Sequence, residues 1–207
     1  MSNLTTNGEG SASAALPSRW QMAAHEAAHA VYARSRSRIV TCVSVEGIVA
    51  IENGAEIRDG VVLGVCSRSG SEIPDALPRC VLSLVGPAAA HRAGYPKPLL
   101  PYGEFVTAAK ARYPESDEGK VMRELGAADD PEVLYEAARA KAEAFVQERW
   151  SEITRLAERL MESESLDEEA IELVFDPTWP EFQRWLDEVG DDRCPWVLLE
   201  GGDEEVF

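Results

Sequence analysis

Polar residues are scarce between Met22 and Ala33. The stretch reads MAAHEAAHAVYA, apolar or small at every position except His25, Glu26 and His29. A run that is apolar all round predicts a buried helix, with Ser18 as its N-cap and an end near Arg34. From Arg38 the period shortens to two. Residues 39–45 (IVTCVSV) predict a β-branched strand, Gly47 is expected to break it, and Ile48 to Ile51 read as a second short strand. Asn53-Gly54 and Asp59-Gly60 signal turns, and VVLGVC (Val61 to Cys66) predicts a further strand, so that a small antiparallel sheet follows the first helix. Helical spacing returns from about Pro74 to Ala93, with Leu77, Val81, Leu84, Val85 and Ala88 at the apolar positions and Gly94 closing the helix ahead of Tyr95-Pro96. The prolines between Gly94 and Pro101 mark a loop. Short helices are predicted over 103–112 and over ESDEGKVMRELG, the second closed by Gly126. Pro131 at N1 opens a long helix to about Trp150. Ser151 to Ser163 either continues it with a kink or forms a separate helix. LDEEAIELVF (Leu166 to Phe175) reads as a closing short helix, and no internal repeat is present.

The two ends differ from this body. Residues 1–16 are too polar to pack and are expected to be a disordered lead-in. Residues 176–207 place Trp179, Trp185 and Trp196 among ten acidic residues and two arginines. That acidic C-terminal extension is expected to be either a docked cap or a partner-binding segment, leaving 17–175 as the folded domain. The formal net charge of -17 argues against nucleic acid or an anionic membrane as partner. No apolar run is long enough to span a bilayer, and the N-terminus lacks the features of a secretory signal. Cys42, Cys66, Cys80 and Cys194 are scattered, as expected of reduced thiols in a cytoplasmic protein; the first three are expected to be buried as small apolar residues. Arg34, Arg36 and Arg38 stand where they complement the dipole at the end of the first helix.

The three polar residues of that helix then become the problem to solve. Burying two imidazoles and a carboxylate without partners costs several kcal/mol, on the order of what an unpaired buried charge costs. A divalent metal removes the conflict. The i, i+4 spacing sets His25 and His29 on one face, suited to two corners of a tetrahedral zinc site. Glu26 lies about 100° further round the axis, within reach of a metal-activated water. This is the H-E-x-x-H pattern of zinc hydrolases. A catalytic zinc takes a third protein ligand, and AVYARS after His29 offers none nearby. His91 and the carboxylates between Glu104 and Glu124 are the candidates.

At this point the chain resembles a known family, the peptidase domain of FtsH-type zinc metalloproteases. The family's motif helix reads HEAGHA, and here it is His25-Glu26-Ala27-Ala28-His29-Ala30. VTCVSVEG and VVLGVC look like its strand pair, and LVGPAAAHRA echoes its L-x-G-R-A-A-E-E helix. Ser116 to Met122 stand where the family has S-x-x-x-D-L-x-x-A-T, whose Asp is the third ligand. RLAERLMESESLDEEAIELV resembles the closing helical pair. The resemblance covers about residues 18–175 and is most specific at the motif helix. It implies Asp117 as third ligand, and it implies an α+β, mainly α-helical fold: a zincin-like motif helix on a small sheet, then a C-terminal helical bundle. There are departures. Ala28 replaces a glycine, Pro87, Ala90 and His91 replace an Arg and two Glu, and no P-loop pattern occurs.

The activity so implied is a zinc peptidase. His25, His29 and Asp117 would hold Zn2+, and Glu26 would serve as general base and acid for an activated water. Without an ATPase module the substrates would be unfolded or short polypeptides, or would be supplied by a delivery partner or through homo-oligomer assembly. In many zinc proteases a sheet edge pairs with an extended peptide, and Val61 to Cys66 is the candidate for that edge, or else an ordinary core strand. The alternative is a non-catalytic metal-binding interaction protein derived from the same family.

Overall fold

Ser18 starts the first helix. Its hydroxyl accepts from the Gln21 backbone N–H at 3.3 Å and the Gln21 side chain accepts from the Ser18 N–H at 2.7 Å, a reciprocal cap that satisfies two otherwise orphaned donors. The computed structural model describes residues 17–52, 55–67, 75–110 and 114–176. The expected disordered lead-in, the Asn53-Gly54 turn and the acidic extension from 177 onward lie outside the described residues, as do the side chains of 46–74, Cys66 among them.

Helix α1 (Arg19–Ser35) is buried along nearly its whole length, with Ala23, Ala24, Ala27, Ala28, Ala30 and Ala33 at 0–1% exposure. Alanine favours the helix, and its small side chain lets neighbours approach on every side. Ser37, at φ 56°, turns the chain out of the helix into the sheet. Strand β1 (Arg38–Glu52) pairs antiparallel with β2 (Ala55–Ser67), from Arg38 opposite Ser67 to Glu52 opposite Ala55. The two short strands expected around Gly47 are therefore one. Its register slips between Ser44 and Ile48, a bulge that interrupts the pairing without ending the strand. Asp59-Gly60, expected as a turn, lies within β2, opposite Ile48 in the case of Asp59.

A third strand was not foreseen. β3 (Ser165–Asp167) lies on the other side of β1, Leu166 opposite Val43, giving the order β2-β1-β3. It is only three residues long, too short for its polar–apolar–polar alternation to be read as a strand. Glu164, at φ 61°, ends the preceding helix, and its carbonyl accepts from the Val45 N–H at 2.8 Å.

The remaining helices complete an α+β architecture that is mainly helical. α2 (Ala76–Arg92) packs on α1, α3 (Tyr102–Ala109) follows the proline-rich loop, and α4 (Asp117–Gly126) packs on α2. α5 (Pro131–Glu148) and α6 (Trp150–Ser163) are separate helices that break at Arg149, and α7 (Glu168–Phe175) closes the described chain. α1 is enclosed by α2, α6 and the sheet. Tyr135, fully buried on α5, stacks on Phe105 at 4.4 Å and donates its hydroxyl to the Leu100 carbonyl at 2.7 Å, fixing the loop that leads into α3. Arg34, besides facing the C-terminal dipole of α1, makes a forked pair with Glu172 (2.8 Å at its shortest) and lies 4.5 Å from the Phe175 ring centre, holding α7 against α1. Cys80 is buried as expected, its thiol pushed up to about 11 by desolvation and then by Glu124, whereas Cys42 is half-exposed. No helix among the described residues is long and apolar enough to cross a membrane.

Candidate metal centre

His25 and His29 sit one turn apart on α1, their ring centres 4.8 Å apart and their planes inclined at 70°. This brings the two Nε2 atoms to 3.0 Å. The third group comes from α4. Ser116 caps that helix, accepting from the Gly119 N–H at 3.1 Å, and so sets Asp117 at its first position. Val121 and Leu125 bury the helix, and the Arg79–Glu124 ion pair at 2.8 Å braces it to α2. Asp117 Oδ2 then lies 2.9 Å from His25 Nε2 and 3.1 Å from His29 Nε2. The residues named from the sequence, 88 and 92 apart along the chain, meet at one point. Among the described residues, His25, His29 and Asp117 form a group able to hold a metal ion. His91 is not part of it. It is exposed at the end of α2, where Nδ1 donates to the Tyr95 carbonyl at 2.9 Å.

Protons alone satisfy this triangle poorly. The Leu82 carbonyl lies 2.7 Å from His29 Nδ1, and a carbonyl only accepts, so Nδ1 carries the proton and Nε2 of the neutral ring presents a lone pair. That lone pair faces both His25 Nε2 and Asp117 Oδ2. A proton donated along one side of the triangle leaves acceptor against acceptor, or donor against donor, on another. A cation at the centre satisfies all three donors together. The size also fits. Zinc bonded at about 2.05 Å to tetrahedral ligands separates them by about 3.3 Å, so sides of 2.9 to 3.1 Å need open by only a few tenths of an ångström. The Leu82 contact is the kind that orients a metal-ligating imidazole and fixes its tautomer.

Charge in the site is biased the same way. Burial pushes the Asp117 carboxyl up, but His29 and His25 outweigh it and hold the group well below the usual carboxylate range. Lys120 Nζ stands 3.8 Å from the other carboxylate oxygen. Glu26 is 4% exposed, and its Oε1 lies 3.9 Å from His25 Nε2. It stands beside the triangle without being a corner of it.

Two contributors were not identified from the sequence. One is the Leu82 carbonyl, a backbone group that no side-chain pattern reveals. The other is Gly86, for which a signal did exist: a Gly-Pro pair inside an apolar helix is costly and asks for a reason. A Cβ built on Gly86 would lie 2.4 Å from His29 Nε2 and 2.6 Å from His25 Nε2. Neither the protein-family models nor the curated proteins match this chain.

Proposed function

We propose that this protein is a zinc-dependent peptidase acting on unfolded or short polypeptides. The convergence of two imidazoles and a carboxylate on one point, with the buried Glu26 carboxylate alongside, carries the assignment. His25, His29 and Asp117 are the metal ligands. Zinc bound there supplies Lewis acidity, lowering the pKa of water toward ~7 and stabilising the oxyanion of peptide hydrolysis. Glu26 takes the proton of the attacking water and passes it to the leaving amine. Its burial holds the carboxylate beside the site, Oε1 3.9 Å from His25 Nε2. The order of elements (motif helix, antiparallel hairpin, long helix, then an Asp opening a later helix) supports descent from the FtsH-type peptidase domain. β2 is an outer strand of the sheet, and an extended substrate would add to it by main-chain pairing.

Glu26→Gln is the test. The variant should fold and retain one equivalent of zinc, and it should fail to cleave denatured casein. The unmodified protein should cleave and should lose that activity to a chelator. Cleavage by the variant at the unmodified rate would remove Glu26 from the mechanism. Zinc retained by the unmodified protein without cleavage of any unfolded substrate would favour a metal-binding interaction protein instead.

A further inference from the structure

Helix α2 supplies no ligand, yet one of its turns lies directly on the site. Leu82 and Gly86 are four residues apart and so share a face of α2. Leu82 offers its carbonyl to Nδ1 of the His29 ring, and Gly86 presents bare backbone to Nε2. The ring is bracketed by a single helical turn. That turn is also the one carrying Gly86 and Pro87 together, which cost a helix interior about 1 and about 3 kcal/mol relative to alanine.

We propose that Gly86 is the position that admits the metal, its missing side chain keeping open the space against the two Nε2 atoms. This rests on the reading of His25, His29 and Asp117 as ligands. A Cβ there would stand 2.4 and 2.6 Å from the two Nε2 atoms and 2.7 Å from His25 Cδ2, where carbon and nitrogen need about 3.4 Å for ordinary contact. A methyl there therefore presses on both of the nitrogens to which the ion would bond. The rings have little freedom to make room, since His29 is held by Leu82 and His25 by Asp117.

Gly86→Ala tests this, read as zinc affinity by chelator competition and zinc content by elemental analysis, beside the unmodified protein. The variant should bind zinc ~100-fold more weakly, the upper end of what changes outside the ligand set cost. A zinc affinity within threefold of the unmodified protein would overturn the role of Gly86 while leaving the ligand assignment standing. An unmodified protein that binds no zinc would overturn both. Should Gly86→Ala not fold, the same change is made in a His25→Ala, His29→Ala background, which lacks the rings. Folding there, with a melting temperature equal to or above that of the background, places the conflict at the imidazoles as proposed. Destabilisation there as well would mean that the glycine serves backbone packing, and the proposal fails.

Discussion

Replacing Asp117 with Asn keeps the volume at that corner of the triangle and changes only its chemistry. In the metal-free protein a carboxylate oxygen lies 3.1 Å from a nitrogen whose tautomer makes it an acceptor. An asparagine turned with its NH2 inward offers hydrogens to both Nε2 atoms instead. The two nitrogens subtend about 60° at Oδ2, given sides of 2.9, 3.1 and 3.0 Å, whereas the N–H bonds of an amide diverge by about 120°. Both hydrogen bonds are therefore bent by about 30° and fall short of full strength. Taken together they contribute about 1 kcal/mol net, or about 2–4 °C in melting temperature for a chain of this size. At about pH 8–9, above the range in which an ordinary imidazole is charged, the two forms should then diverge: Asp117→Asn raises the melting temperature of the metal-free protein and sharply weakens zinc binding. Calorimetry after exhaustive chelation, followed by zinc titration, reads both. If these residues were merely a structural ion cluster, removing the central negative charge would destabilise the protein. A lower melting temperature for the metal-free variant, or zinc affinity equal to that of the unmodified protein, would refute the reasoning.

Acid stability follows from the same carboxyl group. Its folded pKa lies below the ordinary 3.8, so below that pH the unfolded chain binds more protons than the folded one, and stability falls as pH falls. Acid titration of the metal-free protein by circular dichroism should show this loss, and Asp117→Asn should lose less over the same range. His91→Ala should leave zinc stoichiometry unchanged and move stability by no more than about 0.5 kcal/mol, as exposed positions do. Loss of a zinc equivalent in that variant, measured by elemental analysis, would show that His91 is a ligand.

What the sequence revealed of this molecule followed the reach of its signals. α1 was legible because burial, capping and spacing agree: Ser18 caps it, alanines surround it, and the two imidazoles fall on one face. The opening of α5 at Pro131 was equally plain, whereas its periodicity left open whether α6 continues it, which the break at Arg149 decides. Local patterning failed where tertiary pairing decides. Gly47 reads as a strand end, yet the partner strand β2 carries β1 through it with a slip in register. β3 exists only because the end of α6 delivers Ser165–Asp167 to the free side of β1. At the candidate site, spacing indicated two groups and could not choose among the remaining His and acidic positions. The choice of Asp117 came from resemblance, and the meeting of α4 with α1 brings its carboxylate to the imidazoles. Gly86 and the Leu82 carbonyl act through what α2 presents to α1, which a one-dimensional pattern does not encode.

The enclosure of α1 has a consequence for how the protein is made. This helix leaves the ribosome before the neighbours that cover it, which are supplied as late as α6. The 128 residues between the end of α1 at Ser35 and the end of α6 at Ser163 take on the order of 6 to 26 s to synthesise at ~5–20 residues per second. For that interval an alanine-rich helix that ends buried along nearly its whole length waits without its partners, and Asp117 has yet to be made for most of it. The cover of α1 is thus complete only once α6 has been made, and the group of His25, His29 and Asp117 only once α4 has been added.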